Sequence, residues 1–144
     1  MTYHGKFAPK HPEKYKGNPS NIVYRSSWEQ RVMRHLDLHP QVEWWASEEL
    51  HIKYHSPVDN RIHRYFPDFI VKVRKADGST ATYILEVKPS CQTILRTPKR
   101  NTRKFLNEVK TYAINQAKWK AADEFCQDHG WVFKIITENE LGLN

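Results

Sequence analysis

At 144 residues, with 39% hydrophobic side chains and a formal charge of +7, the chain has the length for one domain with a real core and a balance suited to a polyanionic partner. No apolar run is long enough to cross a membrane and no secretory signal stands at the N-terminus. The two cysteines, Cys91 and Cys126, lie thirty-five residues apart without a metal-ligand spacing, so a reduced intracellular protein is expected, with neither cysteine in a catalytic role.

Residues 1–21 are rich in Lys, Pro, Tyr and Gly without periodicity. They read as an irregular basic arm preceding a single domain over residues 22–144. Residues 26–38 read as a helix, with Ser26 as its cap, Trp28, Val32 and Leu36 on one face, and Pro40 closing it. Ser26-Ser27-Trp28-Glu29 has the spacing of a capping box, in which Glu29 folds back onto the helix start. Arg25, just before it, either contacts phosphate or decorates the helix start. Glu43-Trp44-Trp45 and residues 50–55 are strand-like, and residues 56–60 turn the chain into a strand spanning 64–74. Residues 81–88 form the next strand, stopped by Pro89. Thr97 is a helix cap with Pro98 in the first turn, and helical residues run from there, with or without a break, to a terminator at Gly130. Residues 131–136 make a last strand. The outcome is an α/β domain, a mixed central sheet flanked by helices.

The most informative pair of segments is Phe66-Pro67-Asp68-Phe69 and Leu85-Glu86-Val87-Lys88. Between them Ala76-Asp77-Gly78 is turn chemistry. If these three residues form a type I turn with Gly78 left-handed, Lys75 faces Ser79 and the register sets Asp68 directly opposite Glu86. Alternation then puts Asp68, Glu86 and Lys88 on one face. A two-residue loop would shift the register by one and send the acids to opposite faces.

Two opposed carboxylates repel, and the repulsion is relieved either by a raised pKa or by a bound cation, a divalent metal being the simpler answer at neutral pH. Mg²⁺ is typically held by one or two carboxylates, with waters and substrate phosphate completing the shell, and Mn²⁺ is the alternative ion. Lys88, two residues on, is placed to hold a water or to neutralise charge developing on a phosphate. The same three residues would also make an ordinary ion pair on a solvated hairpin face.

The positive charge is concentrated. From Lys88 to Lys120 the chain holds nine basic residues against one acid, Glu108. Arg96, Lys99, Arg100, Arg103, Lys104 and Lys118 in this block, with Arg25 and Arg64, form a candidate footprint on the DNA phosphate backbone. A solvated helix face is the competing reading. His63 and Arg64 are rim residues that can meet phosphate, and Gln116, Lys104 and Lys118 lie on the long helix within reach of the acids from above. His35 and His39 have a zinc-compatible spacing, but nothing nearby completes a tetrahedron. The five tryptophans read as core, except that Trp44 and Trp45 cannot both point inward from one strand.

Pro67-Asp68 followed by Glu86-Val87-Lys88 resembles the PD-(D/E)XK nuclease pattern. With Tyr24-Arg25-Ser26-Ser27-Trp28-Glu29, Arg64-Tyr65-Phe66-Pro67-Asp68-Phe69 and Gly130-Trp131-Val132-Phe133, the chain is similar to TnsA-type endonuclease domains. Over nearly its whole length, including residues 1–16 and Trp45-Ala46-Ser47-Glu48-Glu49, it resembles the head completion nucleases of large contractile-tailed phages. That resemblance implies a restriction-endonuclease-like core and a metal-dependent deoxyribonuclease, endonucleolytic with exonucleolytic trimming as a second mode. It also carries over a helix glutamate onto Glu29 as a third metal-binding acid beside Asp68 and Glu86. It implies action on double-stranded DNA during virion assembly in the host cytoplasm, with portal or neck components of the capsid as partners and the head-tail region as a further location. Two other readings remain open: a non-catalytic DNA-binding or portal-associated assembly protein, in which the acids are dispensable, and a transposon-end cleaving subunit. The small size and the lack of an evident DNA-reading helix-turn-helix favour the phage reading and argue against sequence-specific recognition.

Overall fold

Pro67 divides what the sequence suggests is one long strand. In the computed structural model, which describes residues 4–95 and 102–141, the expected strand over 64–74 is two strands in two different sheets. Ile62–Tyr65 (β5) pairs antiparallel with Ile52–His55 (β4) as a separate two-stranded ribbon, and Phe69–Arg74 (β6) enters the central sheet. Proline has no N–H to donate to a ladder, so pairing stops on one side of it and restarts on the other. Asp68 therefore sits at the mouth of a strand rather than within one.

The central sheet runs β3-β6-β7-β8, where β3 is Val42–Ser47, β7 is Thr80–Val87 and β8 is Val132–Ile136. The first three strands are antiparallel neighbours and β8 lies parallel to β7, so the sheet is mixed as expected. The β7–β8 crossover contains the long helix α2, Arg103–His129, since parallel neighbours need a long return path. Thr102 caps it, its hydroxyl accepting from Phe105 N at 3.1 Å. The expected start at Thr97 and Pro98 lies outside the described residues. At the other end Gly130 adopts φ 72°, the left-handed terminator its sequence position suggests.

Helix α1, Ser27–Leu38, is capped by Ser26, whose hydroxyl accepts from Glu29 N at 3.1 Å. It buries Val32, Met33 and Leu36 against one face of the sheet, with Trp45, Phe69 and Leu85. Helix α2 covers the other face, where Trp119, Ala122 and Cys126 meet Ile84 and the ribbon residues Ile52, Tyr54 and Tyr65. Adjacent residues Ile84 and Leu85 thus enter opposite cores, the period-two signature of a strand buried on both sides. Burying side chains of this size contributes about 1.5–3 kcal/mol each, and the two layers hold β6 and β7 rigidly between them.

Residues 4–21 are largely without repetitive structure, yet they are pinned to the rest of the chain. Gly5–Phe7 (β1) pairs with Ile22–Tyr24 (β2), and Tyr15 packs edge-on against Trp45 at 4.8 Å. Asp37, only 2% exposed, accepts the backbone N–H groups of Lys10 and His11 at 2.8 and 3.0 Å. Of the tryptophan pair, Trp45 is fully buried and Trp44 lies near the surface under Lys16. A last short helix, Glu138–Leu141 (α3), follows β8. Among the described residues no helix is long and apolar enough to cross a membrane.

Candidate active site

The turn after β6 closes as its residues dictate. Lys75 N donates to Ser79 O at 2.7 Å, Gly78 has φ 88°, and Asp77 Oδ1 accepts from Ser79 N and Oγ. The register runs from Arg74↔Thr80 to Phe69↔Leu85 without a shift. One further step sets Asp68 opposite Glu86, the arrangement expected for a three-residue loop. Val87 N donates to Asp68 Oδ2 at 2.7 Å and holds that carboxylate against the end of β7.

Glu86 is buried at 7% exposure on the α2 side of the sheet. The Tyr65 hydroxyl donates to its Oε1 at 2.8 Å, and Lys88 Nζ lies 4.0 Å from its Oε2. Burial, reinforced by the Glu86 carboxylate, raises the Tyr65 pKa and keeps the phenol protonated as a donor. Burial also raises the Glu86 pKa, against the lowering effect of the Tyr65 bond, Lys88 and Lys118. Asp68 is pushed well above the usual carboxylate range, first by burial and then by Glu86. The two acids therefore resist simultaneous ionisation unless a cation lies between them.

Glu29 approaches this pair from α1. Its Oε1 accepts from Arg25 N at 3.4 Å, a long bond to the residue before the cap, so the return arm of the capping box misses Ser26 itself. Burial raises the Glu29 pKa, and Glu48 and Glu86 add to the shift. Arg25 pairs with Glu48, and its guanidinium also feels Glu29 and Asp68.

Glu48 is a neighbour that the sequence signals only within a family motif. It follows β3 with φ 55°, and its N–H donates to the carbonyl of Asp68 at 3.2 Å. A left-handed glutamate is uncommon and has no sequence signature comparable to glycine's. Tyr65 is a second residue whose part in the site has no local signal, since its partner is twenty-one positions away. Lys118, expected as a DNA contact, is carried by α2 to the ribbon, 5.6 Å from the Tyr65 ring and close enough to Glu86 to lower its pKa. Gln116 is exposed on the same helix.

The other basic candidates separate. Arg103 and Lys104, at the start of α2, line with Ile94, Leu95 and Asn115 an open groove between that helix and the loop after β7. Arg64 is exposed on the ribbon. Arg96, Lys99 and Arg100 lie outside the described residues.

Four carboxylates (Glu29, Glu48, Asp68, Glu86) thus stand with three cations (Arg25, Lys88, Lys118), a local negative excess on a basic chain. Among the described residues no three acidic, histidine or cysteine side chains converge at metal-ligand spacing, His35 and His39 included. The donor set that fits a cation is the Asp68–Glu86 pair: each has one oxygen held by the protein, and Asp68 Oδ1 accepts nothing from the described residues. Two hard oxygen donors suit an ion that keeps part of its water shell, Mg²⁺ or Mn²⁺, better than an ion caged entirely by protein.

The family model for the TnsA-like endonuclease N-terminal domain matches residues 39–138. The chain is 36% identical to the head completion nuclease of Enterobacteria phage T4 over 148 aligned positions, covering 98% of this chain and 95% of that protein. No solved structure matches.

Proposed function

The chain belongs to the TnsA-like endonuclease family, and from that membership we propose that it is a divalent-metal-dependent deoxyribonuclease acting in phage head completion. The observation that carries the reading is Asp68, one step past the Phe69↔Leu85 pair and bonded to Val87 N at 2.7 Å, beside Glu86, with Lys88 at 4.0 Å from the Glu86 carboxylate. Asp68 and Glu86 would hold the ion, with Glu29 supporting it from α1. Such an ion supplies Lewis-acid polarisation of a phosphoryl oxygen and acidifies a water.

The protein's own groups do the rest. Lys88 orients the incoming water and balances charge growing on the phosphate. The Tyr65 hydroxyl holds Glu86 through Oε1, leaving Oε2 turned toward Lys88. Arg25, Arg64, Lys118 and the block from Arg96 to Lys104, with Lys99, Arg100 and Arg103, grip the backbone of double-stranded DNA without reading bases. Cleavage is endonucleolytic, with trimming of ends as a further mode, and takes place during virion assembly in the host cytoplasm at the portal or neck.

The test is cleavage of linear and closed-circular DNA with Mg²⁺, Mn²⁺ or EDTA, beside folded Asp68→Ala, Glu86→Ala and Lys88→Ala. Metal-dependent cutting lost in all three variants supports the reading, and the circular substrate separates endonucleolytic from exonucleolytic action. DNA binding with no cutting under any metal sinks it in favour of a structural assembly role.

A further inference from the structure

The β4–β5 ribbon has two chemically different faces. Its register pairs Ile52 with Tyr65 and Tyr54 with His63 on one side, and Lys53 with Arg64 and His55 with Ile62 on the other. The first set packs toward α2, with Ile52, Tyr54 and Tyr65 buried. The second is exposed at all four positions. Lys53 and Arg64 stand directly opposite each other, an arrangement of like charges that destabilises a strand pair. Neither has an ion-pair partner among the described residues, whereas Arg74 at the far end of the sheet pairs with Glu43. Asp59, the ribbon's one acid, is already bound at 2.7 Å to His63, on the Tyr54 side. The outward face is thus left cationic over a span of two residue steps, about 7 Å.

This face is tied to the site by the chain itself. Arg64 is followed by Tyr65, whose hydroxyl holds Glu86, and three residues later by Asp68. The cationic face and the carboxylate pair are thus joined by four residues of chain, from Arg64 to Asp68. We propose that the outward face of the ribbon, through Lys53 and Arg64 with His55 beside them, is a phosphate-backbone contact that guides duplex DNA to the site. The inference rests on the nuclease reading, and extends its Arg64 contact, through Lys53 and His55, into a footprint on the side of the ribbon opposite the basic residues of α2. Unpaired cations suit phosphates, whose condensed counterions are released on contact, so each lost contact lowers the salt dependence of binding by a fixed step.

The experiment is fluorescence anisotropy of a short labelled duplex in EDTA, titrated with full-length protein across a salt series. Wild type is compared with Lys53→Ala/Arg64→Ala and with a charge-matched control, Lys75→Ala/Lys134→Ala, each checked for an unchanged melting temperature. The expected result is that the ribbon variant binds about ten-fold more weakly at low salt and that its log–log salt slope falls by about two, while the control keeps the wild-type slope. An unchanged slope in the ribbon variant, or an equal fall in the control, overturns the ribbon contact while wild-type binding and cleavage keep the nuclease reading intact. Wild-type protein that neither binds nor cuts duplex DNA removes both.

Discussion

The Tyr65 hydroxyl reaches from the ribbon to Glu86 on the central sheet and donates a 2.8 Å hydrogen bond to its buried carboxylate. Groups that orient a metal-binding side chain from behind typically contribute 10–100-fold to metal affinity or activity. Tyr65→Phe keeps the ring in its core and removes only the donor. The expected outcome is cleavage about 10–100-fold slower, a higher Mg²⁺ requirement and unaltered duplex affinity in EDTA. Wild-type turnover across a Mg²⁺ titration would show that Glu86 needs no such support.

Asp68 and Glu86 both have folded-state pKa values raised by burial, with mutual repulsion adding to the shift at Asp68. The unfolded chain ionises them near pH 4, so between that pH and their raised values the folded state binds more protons than the unfolded one. Stability from this pair is therefore greatest in acid and lost as pH rises. Asp68→Asn removes one charge and is expected to raise the melting temperature of metal-free protein at pH 8. Saturating Mg²⁺ stabilises wild type, by about 2.7 kcal/mol at a hundred-fold excess over the dissociation constant, and leaves Asp68→Asn unchanged. Calorimetry with and without EDTA checks both, and equal Mg²⁺ stabilisation of the two proteins would move the ion elsewhere.

Ser26 and Glu29 separate the helix cap from the chemistry. The Ser26 hydroxyl caps α1, and its removal costs about 1 kcal/mol. Ser26→Ala is expected to melt earlier with cleavage per folded molecule preserved. Glu29→Gln retains an oxygen able to accept from Arg25 N, so it is expected to melt near wild type with cleavage at least about ten-fold lower, the usual cost of losing a group that supports a metal site from behind its ligands. The reverse pattern, lower stability and full activity in Glu29→Gln, assigns Glu29 to the helix start.

Asp37 holds the arm by two backbone N–H groups. Asp37→Ala strands both, at about 1–3 kcal/mol for each donor that cannot regain water. The expected outcome is a lower melting temperature and faster proteolysis within residues 8–16, followed by mass spectrometry of the fragments. Wild-type protease resistance would mean that Tyr15 against Trp45 suffices to dock the arm.

The hairpin register was legible because its determinants are local. Ala76-Asp77-Gly78 offers a short polar turn with one residue free to take φ 88°, and side-chain alternation does the rest, so Asp68 falls opposite Glu86 from counting alone. Ser26 as cap and Gly130 as terminator were legible for the same reason, since each acts within a few residues. The division at Pro67 was less so: the proline was visible, but its flanking strands go to different sheets because of their partners, Tyr65 pairing back with Ile52 and Phe69 forward with Leu85.

The family, the carboxylate pair with its lysine, and the turn that aligns them are therefore all readable from the residues in order. What surrounds the pair comes from the fold. It brought Tyr65 to Glu86, placed Lys118 over the ribbon, set Glu48 beside Asp68 with φ 55°, and pinned the arm on Asp37. A turn or a cap is settled by the conformational preferences of neighbouring residues. The phase of α2 against the sheet, and the packing of a ribbon on that helix, are settled by shape complementarity between elements far apart in the chain, which periodicity does not encode.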